Sequence, residues 1–431
     1  MAQLNVIPDT CSNDSTSKSK NICVVGLGYI GLPTASVLAD HGYLVHGVDV
    51  RPDVIEIINR GEIHIHEPHL GELVNKVVSQ NKLKASTEPC EADVFFICVP
   101  TPINEDKTPD LSYVEAASKA IQPYVRAGNI VILESTSPPR TTQDVVVQNA
   151  IPEDLEVGKD VYVAYCPERV LPGRILIEVV ENDRIVGGVT TACTDKVVEF
   201  YKSFVTGAVL PTDAISAEIT KLTENAFRDV NIAFANELSI LADKLGADVF
   251  EVIKLANRHP RVNILTPGPG VGGHCISVDP WFLVHACTGA TPLIKTAREV
   301  NDMKPHYVVQ QIIEAANRFD NPTIACLGLA YKADVDDFRE SPSTEIATML
   351  TESGVGVVLA CDPYANSNNL PGLNLCTLQE SIQKADILVL LTDHRQFLEL
   401  SPEDRYGKTV IDPRGAWSST KASRVGINNA A

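Results

Sequence analysis

The stretch NICVVGLGYIGLPTASVLADHGYLVHGVDV, Asn21–Val50, decides the fold. It opens on a short apolar run, Ile22 to Val25, which reads as a strand. GLGYIG follows, with Gly26, Gly28 and Gly31 in the GxGxxG spacing, and then a helical pattern from Leu32 to His41. A second apolar run, YLVHGVDV, brings in the acidic Asp49. Strand, glycine turn, helix, strand and acid, in this order, form the βαβ unit that binds dinucleotides. Gly26 permits the tight turn, Gly28 lets backbone approach a pyrophosphate, and Gly31 allows close helix–strand packing. Helix N-terminal amides then face the anion. Asp49 lies 18 residues beyond Gly31, where an acid meets the ribose. Its charge repels a 2′-phosphate, which favours NAD, while Arg51 leaves room for NADP. The competing reading is a glycine-rich turn with a purely structural use.

Outward from this unit the alternation continues. ADVFFICVP, NIVILEST, DVYVAYCPE and DRIVGG read as further strands separated by helical segments, which implies a parallel sheet. From Asp213 to about Ala256, Gly and Pro almost vanish. Ile219, Leu222, Ala226, Val230 and Ala233 recur at helical spacing and mark one buried face of a long helix or helix pair. Leu293 to Arg318 is helical too. The C-terminal third restarts the pattern with TIACLGLAYK, then SPSTEIATMLTESG as a helix ending at Gly354. VGVVLACDPYA, with Asp362 at its tip, ADILVLLTDH and TVIDPRG are three more strands, so a second sheet with a degenerate glycine loop is expected. The fold class is α/β, two Rossmann-like doubly wound domains joined by a long central helix. The expected division is a loose tail over 1–20, a dinucleotide domain over 21–212, a central helical part over 213–318, and a second nucleotide domain over 319–431.

Composition excludes several classes. With 431 residues and 44% hydrophobic content the chain can build sizeable cores and is not mostly disordered. A formal net charge of −19 argues against non-specific nucleic-acid binding, which needs phosphate neutralisation. The 11 cysteines form no Cys-x-x-Cys pair, and several sit in apolar runs, such as Cys23, Cys98 and Cys326. They read as reduced thiols of a cytoplasmic protein. The first residues lack the apolar core of a signal peptide, and no run approaches the ~18 apolar residues of a membrane span.

Five further segments carry candidate chemistry. In PGPGVGGHCISVDPWF, Pro267–Phe282, four glycines offer backbone amides to an anion, and Cys275 follows them with Asp279 four residues on. A thiol beside such donors is placed to be a thiolate nucleophile, and a buried structural cysteine is the equal alternative. A pair of Cys275 with His274 is disfavoured, because adjacent side chains point apart. In KLTENAFRDVN, Lys221 and Asn225 share a helical face and can stabilise an oxyanion, unless that face is simply solvated. HIHEPHL holds His64, His66 and His69 beside Glu62 and Glu67, but Pro68 interrupts it and no second ligand cluster exists. It reads as a surface or lid loop, and no metal is expected. In AYCPERVLPG, Glu168 and Arg169 follow a strand end, the ligand edge of an open α/β sheet. In YKADVDDFRESP, Lys332, Arg339 and Glu340 lie where cations can hold a second pyrophosphate or form surface ion pairs.

The order VGLGYIGLP, Asp49, VPTP, ESTSPP, CPERVLPG, KLTENAFRD, GPGVGGHC with DPW, and YKADVDDFRESP resembles the UDP-glucose/GDP-mannose dehydrogenase family over about Asn21 to Gly415. The resemblance implies oxidation of a primary alcohol at sugar C6 to a carboxylate with two NAD+. Cys275 would hold the aldehyde as a thiohemiacetal and then a thioester. By the same resemblance Lys221 and Asn225 stabilise the oxyanion, Asp279 helps activate water, Glu168 assists hydrolysis, and Thr136 positions water. The cofactor would meet Gly26, Gly28, Tyr29, Ile30, Gly31, Asp49, Arg51, Pro100, Thr101, Ser135, Thr136 and Arg339. The UDP-sugar substrate would meet Glu168, Arg169, Val170, Leu171, Lys221, Asn225, Arg228, Gly270, Gly272 and Lys332. Arg261 would reach the site of a second subunit in a homodimer built on the long helix. One departure stands out: Pro172 occupies the place where UDP-glucose dehydrogenases carry a second Glu.

Overall fold

A computed structural model describes residues 20–171, 173–273 and 275–417. The expected N-terminal tail, Pro172 and His274 lie outside the described residues. The chain divides into two compact units, and the division falls inside one long helix, Ala214–Leu245. The first unit comprises the chain up to Thr101 together with Leu111–Glu218. The second comprises Pro102–Asp110 and the chain from Ile219 onward.

The first unit is built on eight strands: β1 (Asn21–Val25), β2 (Leu44–Val48), β3 (Leu83–Ser86), β4 (Val94–Ile97), β5 (Ile130–Leu133), β6 (Tyr162–Tyr165), β7 (Arg184–Gly188) and β8 (Val209–Asp213). They lie in the order β3-β2-β1-β4-β5-β6-β7-β8. The order reverses direction between β1 and β4, which is the switch point where doubly wound sheets bind ligands. Along β1, Ile22 and Val24 pack into the core on one face and Cys23 and Val25 into the core on the other. Both faces are covered, so these strands read as unbroken apolar runs instead of alternating ones. Burying a side chain such as Phe96 or Leu38 contributes roughly 1.5–3 kcal/mol. The sheet departs from all-parallel at one place, because β7 runs antiparallel to β6. The intervening chain holds only the seven-residue helix Ile175–Glu181 and returns to the edge it left.

The expected helical stretch is two helices, Ala214–Leu245, whose first turn belongs to the first unit and the rest to the second, and Val249–Ala256. Gly246, at φ 72°, breaks them, and Asp248 caps the second by accepting from the Phe250 amide. Leu222, Ala226 and Ala233 are buried as the spacing predicts, but Ile219 is exposed. The buried stripe continues through polar residues, Asp229 and Asn236. Helix Pro292–Ala316 packs beside them, with Arg298 Nη1 donating to Asp229 Oδ1 at 2.5 Å and Asn236 Nδ2 to Asn301 Oδ1 at 2.9 Å. A four-stranded parallel sheet follows, β9 (Thr323–Leu327), β10 (Val357–Cys361), β11 (Ile387–Leu390) and β12 (Thr409–Ile411), in the order β10-β9-β11-β12. The helix Pro342–Ser353 starts on the Ser341 cap and stops at Gly354 in the left-handed region.

Candidate active site

The glycine loop of the first unit has the geometry that a pyrophosphate needs. Gly26 sits at φ 93°, and a Cβ there would lie 2.4 Å from the Cys98 carbonyl. A Cβ on Gly31 would lie 1.8 Å from the Gly26 carbonyl, so helix and strand close only on glycine. Gly28 has open space above it, where a ligand can approach. Asp49 braces this loop: Oδ2 accepts from the Leu27 amide and Oδ1 from the Arg51 amide, both at 3.0 Å. Arg51 is paired with Asp53 on the surface. The loop, its bracing acid and the open space at Gly28 fit a dinucleotide.

The same device recurs in the second unit. The Gly26 amide donates to the Val48 carbonyl and the Gly328 amide to the Cys361 carbonyl, both at 2.8 Å. Asp362 Oδ2 accepts from Leu329 and Ala330 amides, as Asp49 does from Leu27. Here the acid is sealed, because fully buried His394 places Nε2 2.9 Å from Asp362 Oδ2. His394 Nδ1 accepts from the Asp334 amide, which assigns the proton to Nε2. Tyr331 and Glu340, beside this loop, meet the cysteine-bearing segment. A Cβ on Gly272 would lie 2.5 Å from the Glu340 carbonyl, and one on Gly273 2.8 Å from the Tyr331 ring. These two glycines therefore serve close packing, not only an anion. A cavity of about 320 Å³ lies here, lined among others by Val271, Ser277, Asn301, Phe338, Ser341 and Thr344. Arg339 grips Asp337 through Nε at 2.8 Å and Nη2 at 2.6 Å, while Lys332, Arg228 and Arg261 are exposed.

The helix Ala214–Leu245 brings Lys221 and Asn225 to the residues after the cysteine. Asn225 Nδ2 donates to Asp279 Oδ2 at 2.6 Å. Asp279 is 3% exposed, and burial pushes its carboxyl up to about 6 against the pull of Asn225 and Lys221. Cys275 is exposed by area. The protein around its sulfur still pushes the thiol up to about 11, by desolvation first and Asp279 second, with Lys221 and Arg339 opposing. A thiol raised in this way needs a base to take its proton before it can act as the nucleophile that the sequence reading weighed against a structural cysteine.

At the carboxyl edge of β4, β5 and β6 lies a buried polar cluster. Thr101 Oγ1 donates to the Thr136 carbonyl at 2.5 Å, and Ser135 Oγ to the Val99 carbonyl at 2.7 Å, which ties the Pro100 loop to the end of β5. Glu168 Oε1 accepts from the Arg169 amide at 2.6 Å and Oε2 from Arg184 Nη1 at 2.6 Å. Leu171 donates its amide to Glu178. The sequence reading passed over Arg184, Glu134 and Tyr201, all buried here. An Arg heading an apolar strand and a lone Glu ending one were the available signals. In the HIHEPHL loop, His66, Pro68 and His69 are exposed, and one acidic side chain turns inward. Glu67 is 4% exposed and accepts from the Gly173 and Ile175 amides at 2.8 Å, so it holds the Glu168–Ile175 loop in place. Among the described residues no group of three His, Cys, Asp or Glu side chains is arranged to hold a metal, and no helix is long and apolar enough to cross a membrane.

Comparison with known proteins gives the class first: this is an NAD-dependent dehydrogenase. Residues 20–205 match the NAD binding domain, 215–303 the central domain and 325–419 the UDP binding domain of one family. The chain belongs to the UDP-glucose/GDP-mannose dehydrogenase family. It is 51% identical to an NDP-N-acetyl-D-galactosaminuronic acid dehydrogenase of Ralstonia solanacearum, over 93% of this chain and 97% of that one. It is 50% identical to a UDP-N-acetyl-D-mannosamine dehydrogenase of Campylobacter jejuni, over 89% and 97%. The solved UDP-N-acetyl-mannosamine dehydrogenase Cap5O of Staphylococcus aureus superposes with a TM-score of 0.84 at 40% identity, covering 92% of this chain and 99% of that one.

Proposed function

We propose that the protein oxidises UDP-N-acetyl-D-mannosamine at C6 to the uronate, for a surface polysaccharide precursor. The observation that carries the reaction type is a single segment presenting Cys275 and, four residues on, the buried Asp279 held by Asn225. NAD+, when bound, accepts each of the two hydrides. This chain's residues do the rest. Asp279 takes the thiol proton, and the sulfur adds to the C6 aldehyde, whose oxygen gains a proton to give a thiohemiacetal. That carbon again bears a hydrogen and a hydroxyl, the form a second oxidation requires. Loss of the second hydride, with the hydroxyl proton passing to Asp279, leaves a thioester, and Asp279 holds the proton that the sulfur later regains. Water then adds to the thioester carbon with Glu168 taking its proton, and the C–S bond breaks as the sulfur regains a proton. Lys221, and the second N–H of Asn225, serve the oxyanion. Thr136 positions the water.

Names of relatives support the N-acetylmannosamine form, and the Ralstonia relative favours a second reading, an N-acetylgalactosamine form with the same chemistry. The binding residues are proposed as the sequence assigns them, with Asp49 on the cofactor ribose, Lys332 near the nucleotide sugar, and Arg339 near the cofactor. A homodimer is proposed through the long helix. Phe227, Phe234 and Leu241 are 67%, 53% and 52% exposed and recur every seven residues, an apolar stripe suited to a second copy. Arg261 would serve the partner's site. Turnover on a panel of UDP-sugars, with NADH counted per sugar, tests the assignment.

A further inference from the structure

Two carboxylates in the first unit share one buried guanidinium. Glu134, Glu168 and Arg184 are 3%, 7% and 2% exposed. Arg184 commits Nη1 to Glu168 and Nη2 to the Val179 carbonyl at 2.9 Å, and its buried Nε has no hydrogen-bond partner among the described residues. Among the described residues the donors to Glu134 are neutral, the Tyr201 hydroxyl at 2.9 Å on Oε1 and the Cys98 thiol at 3.4 Å on Oε2. Burying two negative charges against one positive charge is costly, so the carboxyl with the weaker partners keeps its proton longest.

We propose that Glu134 is a positioning residue for the hydrolytic step: a second buried carboxylate that competes with Glu168 for Arg184 and sets how readily Glu168 takes a proton from water. The proposal rests on the double oxidation argued above. It gives Glu134 no contact with substrate. While Glu134 is neutral, Arg184 has Glu168 as its one charged partner. When Glu134 ionises, the guanidinium faces two buried carboxylates, and its hold on Glu168 is shared at the moment water is activated. Burial first and Glu168 second push Glu134 up to about 7, so this change falls at neutral pH. The other groups facing Glu134 do not interfere. The Cys98, Cys166 and Tyr201 side chains are all pushed upward by burial and stay neutral, and Arg184 stays charged.

The test uses full-length Glu134→Gln, which keeps the shape and removes the charge. The wild type should show a kcat that rises through neutral pH and two NADH per sugar. The variant should lose that rise and about tenfold of kcat above it, with KM falling alongside kcat and kcat/KM for NAD and sugar unchanged. It should release two NADH per subunit in a fast burst and then turn over slowly, because hydrolysis is the impaired step. Tyr201→Phe, which removes a donor from Glu134, should move the rise to higher pH and keep the plateau. A Gln variant with the wild-type profile and no burst overturns the proposal, as does one with weakened NAD binding, which would mark Glu134 as mere support for the end of β5. If the Gln variant does not fold, the Tyr201→Phe profile decides, and an unshifted profile overturns it. One NADH per sugar in the wild type overturns instead the reading on which this rests.

Discussion

The amide of Asn225 donates to a carboxylate 54 residues away, Asp279 Oδ2, at 2.6 Å, and that contact joins the long helix to the segment bearing the thiol. Asp279 is buried with its carboxyl raised from 3.8 to about 6. Its contribution to stability is therefore greatest below its unfolded value and is lost as pH rises through the folded one. At neutral pH the ionised form costs up to about 3 kcal/mol. Asp279→Asn should raise the neutral-pH unfolding midpoint while abolishing turnover. A variant less stable than wild type at neutral pH would show that the ionised carboxylate is well solvated.

Cys275→Ser should block completion of the oxidation. A hydroxyl is a far weaker nucleophile than a thiol. NADH counted against sugar consumed checks this, and full-rate formation of two NADH per sugar would refute the covalent role.

Asp229 is fully buried and accepts from Arg298 at 2.5 Å and from Asn301 at 2.8 Å. Asp229→Ala leaves the buried guanidinium with Asp302 alone. A loss of about 3 kcal/mol in denaturant unfolding is expected.

Asp49→Ala should weaken NAD binding and narrow the preference over NADP. Because Arg51 is held by Asp53, the added change Asp53→Ala should release the arginine for a 2′-phosphate. The double variant should gain about tenfold in kcat/KM with NADP over the single one. Titrations with both cofactors check this.

Much of the fold was legible because it rests on local chemistry. The spacing of Gly26, Gly28 and Gly31 and the place of Asp49 carry their reasons in the sequence. The second sheet was legible from strand runs even though GLA, Gly328–Ala330, replaces the full glycine signature. What escaped was polar burial. Nothing in helical periodicity distinguishes a solvated Asp229 from one buried against Arg298. Nor does a strand pattern show that Arg184 and Glu134 turn inward to one cluster. Such positions depend on partners far away in sequence. The raised thiol of Cys275 belongs to the same class, since the desolvation that raises it, with the charge of Asp279 second, is not reported by spacing.

Side-by-side kinetics with the UDP-linked N-acetylmannosamine, N-acetylgalactosamine, N-acetylglucosamine and glucose forms test the central claim most directly, with NADH and uronate both quantified. The account predicts two NADH and one uronate per sugar, with the highest kcat/KM for the N-acetylmannosamine form. One NADH per sugar, or a higher kcat/KM for any of the other three, would contradict it.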